Sequence, residues 1–373
     1  MAVLSIGQAV EGKRNNFHLM RLLAALLVIY GHCYPISGNP GPDIVQQVLR
    51  IRFAGSLATD TFFVISGFLI TGSYLRREHL GNYLWARFLR IMPAFAVCVA
   101  ICAFVIGPIF SNLALGDYFR EQGPYHYVAG NLELGQETMV WSLPGVFAPN
   151  RIQVLNGSIW TLPAEVIMYV WVAALGLFTV LRRRWLFNAF FAGLMIYGWL
   201  RPDHLWLIEN REFVRLGAMF AAGAFCYVNR AQLPNHGALL LAAIALSYVF
   251  RTSPAYPVLF GCCEVLFVFW FAYNLGFTGF NRFGDYSYGI YLWGFPSQQI
   301  VAALGNELPT YANAILGFLL ALSIGICSWH FVEKPAIGLK SLPRRLMEGV
   351  RKRLSGQLRS QSRNGRITNS ELR

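Results

Sequence analysis

Ten apolar stretches of roughly 14 to 24 residues follow one another along this 373-residue chain. About 20 mainly apolar residues let an α-helix cross the hydrocarbon core of a bilayer. A chain with this pattern has too few polar segments to surround a water-exposed core. We therefore predict an all-α integral membrane protein with about ten transmembrane helices, at roughly residues 19–37, 56–74, 91–110, 158–181, 185–200, 213–229, 237–250, 256–276, 286–305 and 311–332.

The charges of the chain agree with a bilayer environment. Only 13% of the residues are charged, against about a quarter in soluble domains. The formal net charge is +13, but the basic residues are scattered between the apolar stretches, so we expect no nucleic-acid partner. An N-terminus in the cytoplasm places most Lys and Arg residues on the inner side, which predicts that both termini are cytoplasmic.

The chain divides into a membrane domain and a tail. We assign residues 1–337 to one multi-pass transmembrane domain, in which residues 111–157 form a long extracytoplasmic loop. Long loops often carry function. Residues 338–373 form a basic cytoplasmic tail. Seven cysteines lie in apolar stretches without the paired spacing of a zinc site, so we expect no metal.

Two polar residues in the first apolar stretch are candidates for chemistry. Arg21 and His32 are eleven residues apart, which is close to three helical turns and about 16 Å of rise, so both lie on one helix side. Charged groups inside a bilayer are costly and mark functional sites by default. The alternatives are an arginine that reaches the interface and a hydrogen-bonded core histidine.

Acidic residues within the later apolar stretches are further candidates. Asp60 opens the second stretch and is expected either to pair with His32 or to serve as a helix N-terminal acid. Glu165 lies near the outer end of the fourth stretch, where an unpaired carboxylate would be protonated or functional. Glu264 and His330 are isolated, and we interpret both as structural.

Basic and aromatic clusters indicate ligand binding. Four arginines of one short inner connection suit phosphate groups, or equally lipid headgroups: Arg76, Arg77, Arg87 and Arg90. Polar and aromatic residues beside the outer side suit a sugar, or equally interfacial anchoring and interhelical hydrogen bonds: Trp160, Tyr288, Tyr291 and Gln298. The chain has no GxSxG, GxxxxGK[ST], GxGxxG or HExxH motif, which disfavours serine hydrolysis, ATP-driven transport and zinc chemistry.

Taken together, six stretches resemble the acyltransferase-3 family of membrane O-acyltransferases, which modify O-antigens and exopolysaccharides. They occur in the family order and span nearly the whole chain: RLLAALLVIYGH (21–32), DTFFVISGFLITGSYLRR (60–77), YLWARFLRIMP (83–93), NGSIWTLPAEVIMY (156–169), YSYGIYLWGFP (286–296) and FVEKP (331–335). The Arg-then-His pair at eleven-residue spacing is the most specific of these features.

This resemblance implies transfer of an acyl group, usually acetyl, from cytoplasmic acyl-CoA to a carbohydrate hydroxyl outside a bacterial inner membrane. By similarity, His32 is the catalytic residue and Arg21 its motif partner. Arg87 and Arg90 match the basic cluster of the family, and Asp60 and Glu165 match its acidic positions. Acetyl-CoA, or another acyl-CoA, is therefore the expected donor.

The chain departs from the family at one position. Many members have a histidine in the late YLWHFP-like stretch, where this chain has Gly294. A transporter or flippase for a lipid-linked glycan is the alternative function, because intramembrane charges and polar aromatic residues would serve it equally well. The sequence leaves open the acceptor hydroxyl, the acyl chain and the oligomeric state.

Overall fold

The structure is a computed structural model that describes residues 5–12, 14–76, 79–203, 210–305 and 308–342. These residues form sixteen α-helices with short 3-10 and π-helical segments, and no β-strand occurs among them. The prediction of an all-α protein is confirmed. Arg77 and most of the predicted tail lie outside the described residues.

The helices are numbered in chain order. They are α1 (Ile6–Glu11), α2 (Phe17–Ile36), α3 (Ile44–Leu49), α4 (Ala54–Leu75), α5 (Leu80–Ile101), α6 (Gly107–Phe110), α7 (Leu115–Arg120), α8 (Gly123–Leu132), α9 (Leu162–Leu177), α10 (Arg184–Leu200), α11 (Arg211–Val228), α12 (Gly237–Val249), α13 (Tyr256–Asn274), α14 (Ser287–Leu304), α15 (Thr310–Ser328) and α16 (Lys334–Gly338). A helix lies at each of the ten predicted apolar stretches.

Six helical stretches among the described residues are long and apolar enough to cross a membrane, which makes this a multi-pass membrane protein. They are Phe17–Ile36, Ala54–Leu75, Leu80–Phe110, Ser158–Leu177, Tyr256–Asn274 and Thr310–Ser341. Helix α14 is not among them, although every residue from Ser287 to Gln299 is buried. The polar residues of α14 lower its mean hydropathy. Because α14 packs inside the protein, these residues are not exposed to lipid.

Helix α2 lies at the centre of the bundle, between α4 and α14. Helix α4 also packs along α11, and α14 packs along α15. The approach of α4 to α11 depends on glycine, because a Cβ atom at Gly67 would collide with the carbonyl oxygen of Phe220. Small residues of this kind allow helix backbones to touch in a membrane, where no hydrophobic effect drives helices together.

The segment 111–157, which the sequence predicts to be extracytoplasmic, is folded and includes the short helices α7 and α8. Tyr118 and Tyr127 are buried in it, and α8 packs against α5. The Gln299 side chain of α14 donates hydrogen bonds to the carbonyl oxygens of Ile152, at 2.7 Å, and Val154. The segment is therefore fixed to the end of the bundle by contacts with α5 and α14.

We expect Gly67→Ala to destabilise the protein by about 1–3 kcal/mol or more, because overpacking a backbone contact forces helices apart. Gly193→Ala is the matched control, since nothing lies within 4 Å of a Cβ atom added there in α10. The measurement is thermal unfolding in detergent. Equal midpoints for the two variants would contradict the close packing of α4 on α11.

Candidate active site

Arg21 and His32 belong to one uninterrupted helix, α2. Their eleven-residue separation therefore corresponds to about 16 Å along the helix axis, with both residues on the same side. Arg21 lies one turn from the N-terminal end of α2, and His32 lies one turn from its C-terminal end. A site that involves both residues would therefore extend along most of the length of α2.

An aspartate joins Arg21 to a second predicted arginine. The Asp285 Oδ2 atom accepts hydrogen bonds from Nη1 of Arg21 at 2.6 Å and from Nη2 of Arg90 at 2.8 Å. Its Oδ1 atom accepts from the Ser287 hydroxyl at 2.5 Å. Burial alone would raise the pKa of Asp285, but the two guanidinium groups outweigh it and hold that pKa well below its usual range. Asp285 is therefore ionised.

Arg90 has a second carboxylate partner. Its Nη1 atom lies 3.2 Å from Oε2 of Glu333, and its guanidinium group lies 5.3 Å from the centre of the Tyr288 ring. Glu333 ends the π-helical segment Trp329–Glu333 and accepts a hydrogen bond from Ser328 at 3.0 Å. Local π-helical turns often occur at functional sites, and the last residue of this one is the buried carboxylate beside Arg90.

A cavity of about 50 Å³ opens next to these arginines. Its lining combines charged, hydroxylated and apolar side chains from five parts of the bundle. The lining residues are Arg21, Thr59, Phe62, Phe63, Ser66, Arg90, Ile91, Thr161, Leu162, Glu165, Tyr288 and Tyr291. Concave sites that are mostly apolar with a few convergent polar groups are typical ligand-binding sites.

His32 does not line this cavity, and one of its ring nitrogens has no hydrogen-bond partner among the described residues. Its Nδ1 atom is 2.8 Å from the carbonyl oxygen of Val28. A carbonyl only accepts, so Nδ1 carries the hydrogen and Nε2 of the neutral ring keeps its lone pair. The ring lies between Phe53 and Phe295, whose ring centres are 5.9 and 5.3 Å away. This arrangement suits a base or nucleophile in apolar surroundings.

On two neighbouring helices, a residue that lines the cavity lies one helical turn from a residue near His32. Tyr291 lines the cavity, and Phe295, four residues later on α14, contacts the His32 ring. Helix α4 shows the same step, because Thr59 lines the cavity and Gly55 touches the residue next to His32, Gly31. Four residues of helix correspond to about 6 Å. The cavity therefore extends from the two arginines towards His32.

The predicted acids Asp60 and Glu165 have partners other than His32. Asp60 is fully buried and accepts hydrogen bonds from Arg52, at 2.6 Å, and from Arg215 of α11. Glu165 lines the cavity, where it accepts from the hydroxyl groups of Tyr169 and, at 3.5 Å, Ser66. In this structure a backbone carbonyl, and neither acid, orients His32.

Of the other predicted arginines, Arg76 directly follows α4 and Arg87 lies in α5. Arg76 donates to the Tyr227 hydroxyl at 3.3 Å. The Arg87 guanidinium group lies 5.7 Å from the centre of the Tyr169 ring. Its Nε atom is buried and has no hydrogen-bond partner among the described residues, so a donor remains available there.

Two of the four predicted sugar-binding residues line the cavity. Tyr288 donates to the carbonyl oxygen of Ile91, and Tyr291 donates to that of Ser158. Gln298 is fully buried outside the cavity and bonds the carbonyl oxygen of Ile29. Trp160 lies outside the cavity too, packed near Phe213 of α11. The predicted set is thus divided between the cavity and interhelical contacts.

Sequence reasoning missed the ionic partners of the predicted residues. Asp285 and Glu333 hold the two arginines, and Arg52 and Arg215 hold Asp60. The sequence did contain an indication that Asp285 is buried, because this residue directly precedes a stretch that is too polar to face lipid. No group of three or more His, Cys, Asp or Glu side chains suited to a metal occurs among the described residues.

Comparison with known proteins identifies the class. Residues 14–330 match the family model described as an acyltransferase domain, so the chain belongs to the acyltransferase-3 family and is an O-acyltransferase. It is 26% identical over 335 residues to an O-acetyl transferase of Shigella phage Sf6, covering 86% of this chain and 96% of that protein. It is also 26% identical over 362 residues to Nodulation protein 10 of Rhizobium leguminosarum bv. viciae, covering 89% and 95%. No solved structure matches the chain.

We expect Asp60→Asn to destabilise the protein by about 3 kcal/mol, because it leaves Arg52 and Arg215 without their shared buried counter-ion. Asp117→Asn is the control, since its ion pair with Arg120 is exposed and such pairs contribute little. Thermal unfolding of both variants in detergent checks this. An Asp60→Asn protein as stable as the control would show that the buried cluster is not needed for folding.

Proposed function

We propose that the protein transfers an acyl group, in the simplest case acetyl, from cytoplasmic acyl-CoA to a hydroxyl group of a cell-surface glycan. The observation that carries this proposal is the cavity with Arg21 and Arg90 in its wall, where the lining residue Tyr291 lies one helical turn from Phe295, a contact of His32. Arginine at one end suits the phosphates of the donor, and a free imidazole nitrogen at the other end suits the reacting carbonyl.

The donor spans the distance between the two residues. Arg21 and the α5 residue Arg87 face its phosphates, and Arg90 adds positive charge beside them. Arg76 and Arg77 of the same inner connection are further contacts. The rise of about 16 Å between Arg21 and His32 is a distance that the extended pantetheine arm of CoA bridges. The thioester then lies beside His32 while the nucleotide stays at the cytoplasmic mouth.

His32 acts on the acyl transfer through Nε2. As a general base, it takes the proton of the acceptor hydroxyl while that oxygen forms an ester bond and the carbon–sulfur bond of the thioester breaks. The proton then passes to the departing CoA thiolate. In the covalent variant, Nε2 first carries the acyl group as acyl-imidazole and the hydroxyl attacks in a second step. Both routes give ester and free CoA.

The acidic residues and tyrosines complete the proposed site. Glu165 is the cavity carboxylate available to a hydroxyl group of the substrate, and Asp60 supports the outer part of α4 next to Thr59. Tyr288 and Tyr291 form the wall along which the acyl arm lies, whereas Trp160 and Gln298 support the outer end of the bundle. This assignment follows the cavity lining and the hydrogen bonds of these residues.

The acceptor reaches His32 from outside. The folded segment 111–157 covers that end of the bundle and offers a surface for a polysaccharide, O-antigen or related glycan. The name of one relative, an O-acetyl transferase, supports an acetyl group, and the resemblance to the acyltransferase-3 family supports a carbohydrate acceptor. With ten helices crossing a bacterial inner membrane, both termini lie in the cytoplasm, on the side where acyl-CoA is made.

We expect His32→Ala to lower O-acylation by at least about 100-fold while the protein remains in the membrane, because a general base contributes 10²–10⁴-fold. The measurement is mass spectrometry or NMR of surface polysaccharide from cells that lack the protein and are complemented with each variant. His236→Asn is the matched control, since His236 is an exposed N-cap of α12 and asparagine also caps helices.

Wild-type O-acylation in His32→Ala cells would remove His32 from the chemistry. In cells that lack the protein, the glycan could instead be acylated normally but fail to reach the surface. That result would favour a transporter.

For the donor, we expect Arg87→Gln to raise the dissociation constant of acyl-CoA about tenfold, the size of one lost hydrogen bond to a charged group. Binding to the purified protein in detergent is the measurement. Arg211→Gln, an exposed arginine at the start of α11, is the control. An unchanged dissociation constant would take Arg87 off the donor site, and no binding to wild type would contradict an acyl-CoA donor.

A further inference from the structure

We propose that Asp285 is a positioning residue of the donor site, which fixes the Arg21 guanidinium group so that its remaining nitrogens face the cavity. This inference rests on the proposed function, since it assigns Arg21 to the donor. Asp285 itself does not line the cavity, so it acts through Arg21 and not by contact with the donor.

The contacts of Asp285 fix its carboxylate from three sides. Arg21 of α2 and Arg90 of α5 share its Oδ2 atom, and the Ser287 hydroxyl at the start of α14 donates to Oδ1. The carboxylate is therefore the point at which three parts of the bundle meet. The hydrogen bond from Ser287 to Oδ1 restricts rotation of this carboxylate.

Arg21 remains free on the side away from Asp285. Its Nη1 atom is the one guanidinium nitrogen with a hydrogen-bond partner among the described residues. Its side chain is 20% exposed, and it lines the cavity. A guanidinium group carries five donors in a rigid plane, so an anchor on one nitrogen orients the others towards an anionic ligand.

Arg90 is committed differently. Both of its Nη atoms are bonded to protein carboxylates, Nη2 to Asp285 and Nη1 to Glu333. Its guanidinium group also lies over the Tyr288 ring. Arg21 and Arg90 are therefore not equivalent: Arg90 holds Asp285 in place, and Asp285 in turn holds Arg21.

Charge gives the physical reason for this arrangement. Two guanidinium groups near one another in a poorly solvated site repel strongly. Asp285 is ionised and neutralises that repulsion, so both groups stay close together before a donor arrives. The opposite role for Asp285 is also conceivable. Its carboxylate would then compete with the donor phosphate for the Arg21 guanidinium group. The two roles predict opposite changes of donor affinity when Asp285 loses its charge.

The test is the steady-state kinetics of the purified full-length protein in detergent, with acetyl-CoA as donor and a glycan acceptor at varied concentrations. For Asp285→Asn we expect the KM of acetyl-CoA to rise about tenfold and the KM of the acceptor to stay within twofold. Asp285→Glu should recover part of the donor KM. Glu11→Gln, an exposed acid-to-amide change in α1, is the control.

A double-mutant cycle tests whether Asp285 acts through Arg21. We expect Arg21→Gln to raise the donor KM, and Asp285→Asn to add less than twofold in that background. If Asp285→Asn does not fold, Ser287→Ala takes its place, because it removes the bond to Oδ1 and keeps the charge. Ser287→Ala should then raise the donor KM by a smaller factor, and an unchanged KM would overturn the proposal.

Three further results would contradict the positioning role. A lower donor KM for Asp285→Asn would show that the carboxylate competes with the donor. An unchanged donor KM together with less folded protein would show that Asp285 is purely structural. If Asp285→Asn raises the donor KM by its full factor in the Arg21→Gln background, Asp285 does not act through Arg21. Turnover of wild type with acetyl-CoA distinguishes these failures from failure of the proposed function, which would leave wild type without donor-dependent activity.

Discussion

Several buried charges of this helical bundle are paired with opposite charges on other elements, because an unpaired charge is costly in apolar surroundings. Two aspartates illustrate this constraint. Asp285 bridges the arginines of α2 and α5, and Asp60 bridges Arg52 and the α11 residue Arg215. Each carboxylate therefore fixes how two elements lie relative to one another. The cavity exists beside the first bridge, so the same pairing that stabilises the bundle also places positive charge where an anionic donor would enter.

A second consequence comes from the central position of α2. Because one helix carries both Arg21 and His32, the distance between these two residues does not depend on the motion of one helix against another. The surrounding helices then supply the wall between these points, with Tyr291 and Phe295 one turn apart on α14. In this account, the bundle holds an extended donor across part of the membrane and leaves only the outer end to the acceptor.

Much of this arrangement could be predicted from the sequence, and part of it could not. Apolar stretches reveal helices directly, and helical periodicity places Arg21 and His32 on one side of α2. Two of the partners escaped prediction because they are long-range: Asp285 lies 264 residues from Arg21, and Arg215 lies 155 residues from Asp60. Gln298 was predicted to bind sugar, but a polar residue in an apolar stretch looks the same whether it faces a ligand or bonds another helix. Hydropathy also cannot tell that α14 is enclosed by protein.

The most direct test of the central claim is the sidedness of acyl transfer. Everted membrane vesicles expose the cytoplasmic face, so labelled acetyl-CoA added outside reaches the arginine end of the proposed site while the acceptor glycan is sealed in the lumen. The account predicts that intact vesicles containing this protein transfer the label to the enclosed glycan. Labelling that occurs only after the vesicles are made permeable would contradict a site that carries the acyl group across the membrane.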